Sequence, residues 1–462
     1  MLDRRVLSDV LSTALQHGGD FADIFVENRA TTLVSCEEKK IERVKTGIDG
    51  GAGVRVVYGD TTAYAYTNKI TADELLKVAD VASRAARGTV RDISIDLRQV
   101  EPTVDLDIAI LPDTVAIDDK TAVVAAADAA ARAADDRIKQ VMVAYGDVIQ
   151  DVTIANSLGR LVRDRRVRTR LSVNAVAADS GQIQTGYEAM GGSQGFELAA
   201  RDACEDLARE AARRAVGALE AKAAPSGKMP VVMAGTAGGT MVHEACGHGL
   251  EADLVQKGLS VYAGRRGEQV AAPGVTVVDD GTIPRRYGTM RFDDEGFPTG
   301  KTVLIENGVL KGFMYDYLTA GRDKANPTGN GRRESFEHKP IPRMRNTYIV
   351  PGKDDPAAVI GSVKNGLLVK KMGGGQVNTV NGDFVFDVAE GYLIKDGRVA
   401  HAVRGATLAG NGPEVLRRID MVGSDLGFTI GTCGKDGQGV PVSSGQPTLR
   451  VAELTVGGTA GD

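Results

Sequence analysis

Two hydrophobic periods alternate along the first half of the chain. Apolar residues recur at helical spacing over residues 3–17. A strand-like pattern then takes over in short runs at 23–28, 41–46, 53–58 and 61–66, separated by Gly and Asp turns. Thr71 stands where an N-cap is expected, ahead of a helix running to Arg87. Asp73 and Glu74 fall in its first turn, where carboxylates meet the positive end of the helix dipole. The order then recurs: a helix over 114–135, strands at 138–144, 148–156, 161–178 and 182–189, and a helix over 197–222. Helix, strands, helix occurs twice, which points to an internal duplication, although residue identities do not repeat clearly.

Ala223-Ala224-Pro225-Ser226-Gly227 follows the last of these helices and reads as a linker. The expected division is an N-terminal α/β domain (1–222), a linker (223–229) and a β-rich C-terminal domain (230–462), α+β overall. Asn307-Gly308 and Asp396-Gly397 lie between apolar runs in the second half and mark tight hairpins, because both pairs accept the positive φ such turns require. A short helix around residue 243 is the main interruption of this strand-rich half.

Composition narrows the function classes. With 61 acidic and 56 basic residues interspersed, the net charge of −5 argues against general affinity for nucleic acid or anionic membranes. The one basic run, 160–170 (RLVRDRRVRTR), reads as the solvated face of a strand. No stretch approaches the ~18 uncharged apolar residues of a membrane span. The N-terminus lacks the apolar core of a signal peptide, so a cytoplasmic location is expected. Cys36, Cys204, Cys246 and Cys433 show no paired spacing and read as buried thiols or ligands rather than disulfides.

Candidate chemistry concentrates in His243-Glu244-Ala245-Cys246-Gly247-His248, two imidazoles with a carboxylate beside the first. In the more familiar His-Glu-x-x-His helix the ligands lie four residues apart and share a face. Five residues turn an α-helix by about 500°, leaving the rings about 140° apart. Both can meet one ion only if the helix breaks or widens, as in a π-type turn, a distortion that Gly247 would make cheap. A catalytic zinc site takes three protein ligands and leaves one position open. Cys246, Glu251, Asp253 and Cys433 are all candidates for the third, and spacing does not choose among them. A thiolate with two imidazoles would favour zinc over magnesium or calcium. Cys36 and Cys204 read as structural, and His17 as part of a helix C-terminal cap.

The segment MVHEACGHGLEADLVQKGLSVYAGRRGEQVA resembles the metalloprotease family of TldD and PmbA (also called TldE). So do NPTGNGRRESFEHKPIPRMRNTYIVPG, KMGGGQVN and CGKDGQGVPVSSGQPTLRVAELTVGGTA, which follow in the same order. The resemblance covers the second half and, more loosely, the first. It implies a catalytic, TldD-type member, since the TldE partner lacks the His-Glu-x-x-x-His motif. It also implies one Zn2+ held by His243, His248 and Cys433, with Glu244 as catalytic glutamate. By the same resemblance the substrates are short or unfolded peptides, and the assembly is a homodimer or a heterodimer with a TldE-type non-catalytic subunit.

On this reading zinc would activate water and Glu244 would act as general base. An extended peptide would pair with an exposed strand edge, for which Gly373-Gly374-Gly375-Gln376-Val377-Asn378 is a candidate beside the plainer reading of a bulge. Residues 326–345 read as a polar loop, with Arg332, Arg333 and His338 as candidates for an oxyanion or a peptide carboxylate. The competing readings are a non-proteolytic zinc amidase or deacylase, and a regulatory binding module with a structural zinc, which would show a fourth protein ligand.

Overall fold

Local signals start the first two helices where the sequence places them. In the computed structural model, which describes residues 2–86 and 95–458, Asp3 accepts from the Arg5 N–H at 2.7 Å and opens α1 (Arg4–Leu15). Three strands follow: β1 (Phe21–Glu37), β2 (Lys40–Tyr58) and β3 (Thr61–Thr67). Thr71 caps α2 (Ala72–Ser83) by accepting from the Glu74 N–H. Arg87, where that helix was expected to end, lies outside the described residues, as do 459–462 of the expected C-terminal domain. The second round is α3 (Ile117–Ala133), β4 (Ile138–Asn156), β5 (Arg160–Asp179), β6 (Gln182–Gly192) and α4 (Arg201–Glu220).

The strands run longer than their sequence pattern suggests. Runs 41–46 and 53–58 belong to one 19-residue strand, and 138–144 and 148–156 to another. The residues between them look like turns but serve packing. A Cβ at Gly51 would meet the Phe336 ring at 2.3 Å. Asp147 is buried and takes Lys120 Nζ at 2.6 Å and the Tyr145 hydroxyl at 2.7 Å.

All six long strands form one antiparallel sheet in the order β3-β2-β1-β4-β5-β6. The two helix–strands–helix rounds meet at β1 and β4, paired from Asp23↔Asn156 to Glu37↔Met142. Helices α1 and α2 cover one half with Leu7, Leu11, Ile24, Val54 and Leu75. Helices α3 and α4 cover the other with Val124, Ala127, Val143, Val173 and Ala208. The opposite face, through Phe25, Val152, Ile154 and Val162, packs on Phe292 and Phe336 of the C-terminal region.

Two sheets build that β-rich region. In one, strands 365–377, 227–233, 449–457, 407–411 and 383–395 pair in succession, and the last pairs back onto the first, closing a ring. Lys222–Ala223 pairs with Val403 and Arg404 on its flank. Strand pairing thus takes up much of 223–229. In the other sheet, strand Gly427–Lys435 lies at the edge, paired among the described residues only with Gln438–Gln446. No helix among the described residues is long and apolar enough to cross a membrane.

Buried charge ties the two regions together. Arg55 of β2 donates to Asp23 and to Glu295 at 2.6 Å each, and all three are buried. Arg333 reaches Asp23 at 3.2 Å and sits 4.5 Å over the Phe25 ring. Residues 326–345 are therefore not a solvated loop: Arg332, Arg333, Arg343 and Arg345 are all buried. The basic run of β5 is likewise only half solvated. Arg165 is exposed beside Asp151, whereas Arg166 is buried and pairs with Asp294 and Asp164.

Removing one partner of a buried pair leaves uncompensated charge. Arg55→Ala is expected to cost roughly 3–5 kcal/mol, read as a lower urea midpoint than wild type. An unchanged midpoint would show that Asp23 and Glu295 are neutralised by other groups.

Candidate metal centre

Residues Thr240–Val242 form one α-turn, His243–Gly247 a π-turn, and His248–Leu250 a 3-10 turn. The His248 N–H bonds back to the His243 carbonyl, five residues earlier. That wide turn cancels the angular mismatch expected of a five-residue spacing, and the two rings meet at 4.9 Å between centroids, nearly perpendicular at 89°. Gly247 contributes differently from expectation. Its φ of −53° suits any residue, but a Cβ there would lie 2.2 Å from the buried Met344 sulfur. Glycine is needed for close approach, not for backbone freedom.

Cys433 arrives from the edge strand Gly427–Lys435, its Sγ 3.5 Å from His248 Nε2. His243, His248 and Cys433 present one donor atom each within 4.8 Å of one another. The Nδ1 atom of each ring is occupied: that of His243 by Ser444 Oγ at 3.0 Å, that of His248 by Glu251 Oε2 at 3.1 Å. Each Nε2 is thereby free for the shared space, the usual outer-partner arrangement of metal-binding histidines. Two imidazoles and a thiol so disposed fit a transition-metal ion.

Burial pushes the Cys433 thiol up, but the two imidazoles outweigh it and hold the thiol down to about 5. Burial likewise opposes ionisation of Glu251, yet Lys435 and His248 bring it to about 2. For His248, burial favours the neutral ring, while Glu251 and Cys433 raise its pKa well above the usual value. Lys435 bridges Glu251 at 3.2 Å and Asp253 at 2.6 Å. Arg343 donates to the Cys433 carbonyl. The cluster is thus clamped by opposite charges on both sides.

The other candidate third ligands sit elsewhere. Cys246 points away, donates to the Val242 carbonyl at 3.3 Å and is pushed up to about 12 by burial. Glu251 stands behind His248, and Asp253 is taken by Lys435. Cys36 and Cys204 lie in the N-terminal core. His17 bonds Ser83 Oγ at 3.0 Å, and His338 bonds Ser335 Oγ at 3.0 Å. Arg332 and Arg333 do not line the metal cleft. That cleft, about 430 Å³, is lined by His243, Glu244, His248, Gln376, Thr432 and Cys433 among others. Glu244 is half-buried at its wall. Of 373–378, Gln376 and Val377 reach the cleft, and the glycines lie in a strand with irregular register. Ser444, Lys435 and Arg343 carried no signal in the sequence that marked them as supports.

Three domain models of one family match the chain in order: PmbA/TldA metallopeptidase domain 1 (22–86), central domain (110–219) and C-terminal domain (226–458). The chain belongs to the PmbA/TldD metallopeptidase family. It is 39% identical to a metalloprotease TldD homolog of Haemophilus influenzae over 99% of this chain and 97% of that one. It is 36% identical to a metalloprotease of Methanothermobacter thermautotrophicus, covering 95% and 96%. The fold matches TldE of Thermococcus kodakarensis with a TM-score of 0.78 at 19% identity, over 98% of this chain and 99% of that one. It also matches a Thermotoga maritima protein described as a putative modulator of a DNA gyrase, with a TM-score of 0.79 at 24% identity over 95% and 96%. The chain is accordingly a metallopeptidase, with His243, His248 and Cys433 placed to hold a metal ion.

Glu251 orients His248 without facing the shared space. Glu251→Gln is therefore expected to weaken metal binding about 10–100-fold, measured by competition with a chromophoric chelator. Affinity equal to wild type would remove Glu251 from the support of the site.

Proposed function

We propose that this protein is a zinc-dependent peptidase that cleaves short or unfolded peptides, with zinc held by His243, His248 and Cys433 and with Glu244 as general base. The observation that carries it is the convergence of two Nε2 atoms and one thiol beside a half-buried carboxylate in an open cleft. Held by His243, His248 and Cys433, zinc would supply Lewis acidity toward the scissile carbonyl and toward the attacking water. Glu244 takes the proton of the attacking water and passes it to the leaving amine. Glu251 and Ser444 hold the imidazoles in the tautomer that leaves Nε2 free.

Substrate selection follows from the edge strand. Gly427–Lys435 has a strand partner on one side only, and Cys433 lies within it. An extended peptide docks along that free edge by main-chain hydrogen bonds, which read little side-chain identity and require an unfolded partner. Peptides rather than small acylated amides are the substrates on this reading. The chain acts in the cytoplasm as a dimer, with a second copy or with a TldE-type non-catalytic subunit. Support for an assembly comes from the exposed apolar residues Ile41, Val44 and Ile48 on β2 and from the likeness to TldE.

Elemental analysis of wild type is expected to give about one zinc per chain, and Cys433→Ala to lose it. Zinc unchanged in that variant would remove the thiol from the site. Glu244→Gln is expected to keep its zinc and lose about 10²–10⁴-fold in peptide hydrolysis. Full activity in Glu244→Gln would sink the proposed base.

A further inference from the structure

A second cavity, about 240 Å³, lies between the N-terminal sheet and the C-terminal region, and arginine dominates its walls. Arg29 of β1, Arg166 and Arg168 of β5, and Arg332 and Arg333 line it, with only Asp294 and Glu334 as acids. Two of the five guanidiniums are neutralised: Arg166 pairs with Asp294 and Asp164, and Arg333 with Asp23. Asp294 is fully engaged, since it also accepts from the Arg333 N–H at 2.8 Å. Glu334 is exposed at the rim and accepts from the Gly439 N–H at 2.6 Å. Glu27, near Arg29, is spent on Gln150 and the Phe336 N–H.

Arg29, Arg168 and Arg332 have no carboxylate within ion-pair distance among the described residues. Arg332 is 2% exposed and donates only to the Met344 and Pro441 carbonyls. Arg168 donates to the Tyr287 carbonyl at 3.2 Å. The Nε atoms of Arg29 and Arg333 are buried with no hydrogen-bond partner. Burial and a neighbouring guanidinium depress Arg332 to about 9 and Arg168 to about 10. Buried cations are ordinarily paired, and planar forks converging on one space are the usual means of gripping carboxylate or phosphate.

We propose that this cavity binds a small oxyanion, a carboxylate or phosphate group, held by Arg29, Arg168 and Arg332. The site is distinct from the metal cleft but adjoins it. Thr432 of the hairpin 427–446 lines both cavities, Gly439 and Pro441 line the arginine cavity, and Cys433 faces the imidazoles. One hairpin therefore borders the two sites. The oxyanion is either the terminal carboxylate of a peptide or a free inorganic ion. The site itself does not depend on the peptidase reading.

Calorimetric titration of the intact protein with inorganic phosphate, in low-salt buffer free of other oxyanions, tests the proposal. Saturable binding is expected. Arg29→Gln and Arg168→Gln should each weaken it at least about tenfold, the loss of one charge-assisted contact. Metal content in both variants should match wild type, which separates this site from phosphate bound at the metal. Arg165→Gln, on the exposed face of the same strand, should bind as wild type does. Acetylglycine and acetylglycinamide then distinguish the sources. Displacement of phosphate by the carboxylate alone assigns the site to a peptide terminus, and no displacement by either assigns it to free phosphate. Absence of saturable binding of both phosphate and acetylglycine overturns the proposal. So does binding that survives unchanged in Arg29→Gln and Arg168→Gln.

Discussion

Two imidazoles five residues apart can share an ion only if the helix carrying them opens by one residue, and much of the C-terminal region is arranged around that turn. A π-turn widens the backbone and needs neighbours that accept the extra width. Glycines supply the clearance: a Cβ at Gly412 would lie 2.2 Å from the Ala245 carbonyl, and one at Gly239 the same distance from the Gly445 nitrogen. The Tyr262 hydroxyl donates to the Ala245 carbonyl at 3.0 Å, and Cys246 Sγ to that of Val242, so carbonyls freed by the irregular turn stay satisfied. The segment Gly235–Thr240 that precedes the turn is held too: the Gly239 N–H donates to the Ser444 carbonyl, and the Ser444 hydroxyl meets His243. One strand residue thus fixes both the backbone and the ring.

The same strand pair links the turn to the charge network. The edge strand delivers Cys433 and Lys435, two residues apart on one face, to opposite sides of the Glu251–His248 pair. Glu251 then has the His248 imidazole and the cations Lys435 and Arg343 around it, and Arg343 in turn holds the Cys433 carbonyl. Farther out, Arg332, Arg333 and Arg345 from the same stretch of chain anchor the region to Met344, Asp23 and Asp279. The site is rigid because its supports are buried ions whose separation would be costly.

What was legible in the chain divides along physical lines. Capping at Thr71, the repeated helix–strands–helix order and the need for a widened turn between His243 and His248 follow from local chemistry, and all three are present in the structure. Strand lengths were not legible, because Gly51 and Gly146-Asp147 look like turn residues while their cause is a ring packed on one and a buried lysine held by the other. Residues 326–345 looked solvated because a polar, glycine-bearing stretch ordinarily is. Their burial depends on Asp23, Asp279 and Asp294, which lie far away in sequence. Spacing left the third donor open, and only tertiary placement brings Cys433 beside the imidazoles and turns Glu251 to the back of His248. Ser444 gave no signal, since one hydroxyl in a strand resembles any other.

The free edge beside Cys433, if it docks peptide as proposed, also has a cost. A row of unpaired backbone groups that welcomes any extended chain would also welcome the edge of another molecule, the first step toward aggregation. Here the row is short. At its start Gly427 is pressed against the turn at Gly235, where even a Cβ would come within 2.0 Å of the Gly235 carbonyl. The part toward Lys435, a few residues at about 3.3 Å each, lines the metal cleft, and it ends at a lysine tied to Glu251 and Asp253. That is room for a single peptide strand and too little template for a growing sheet.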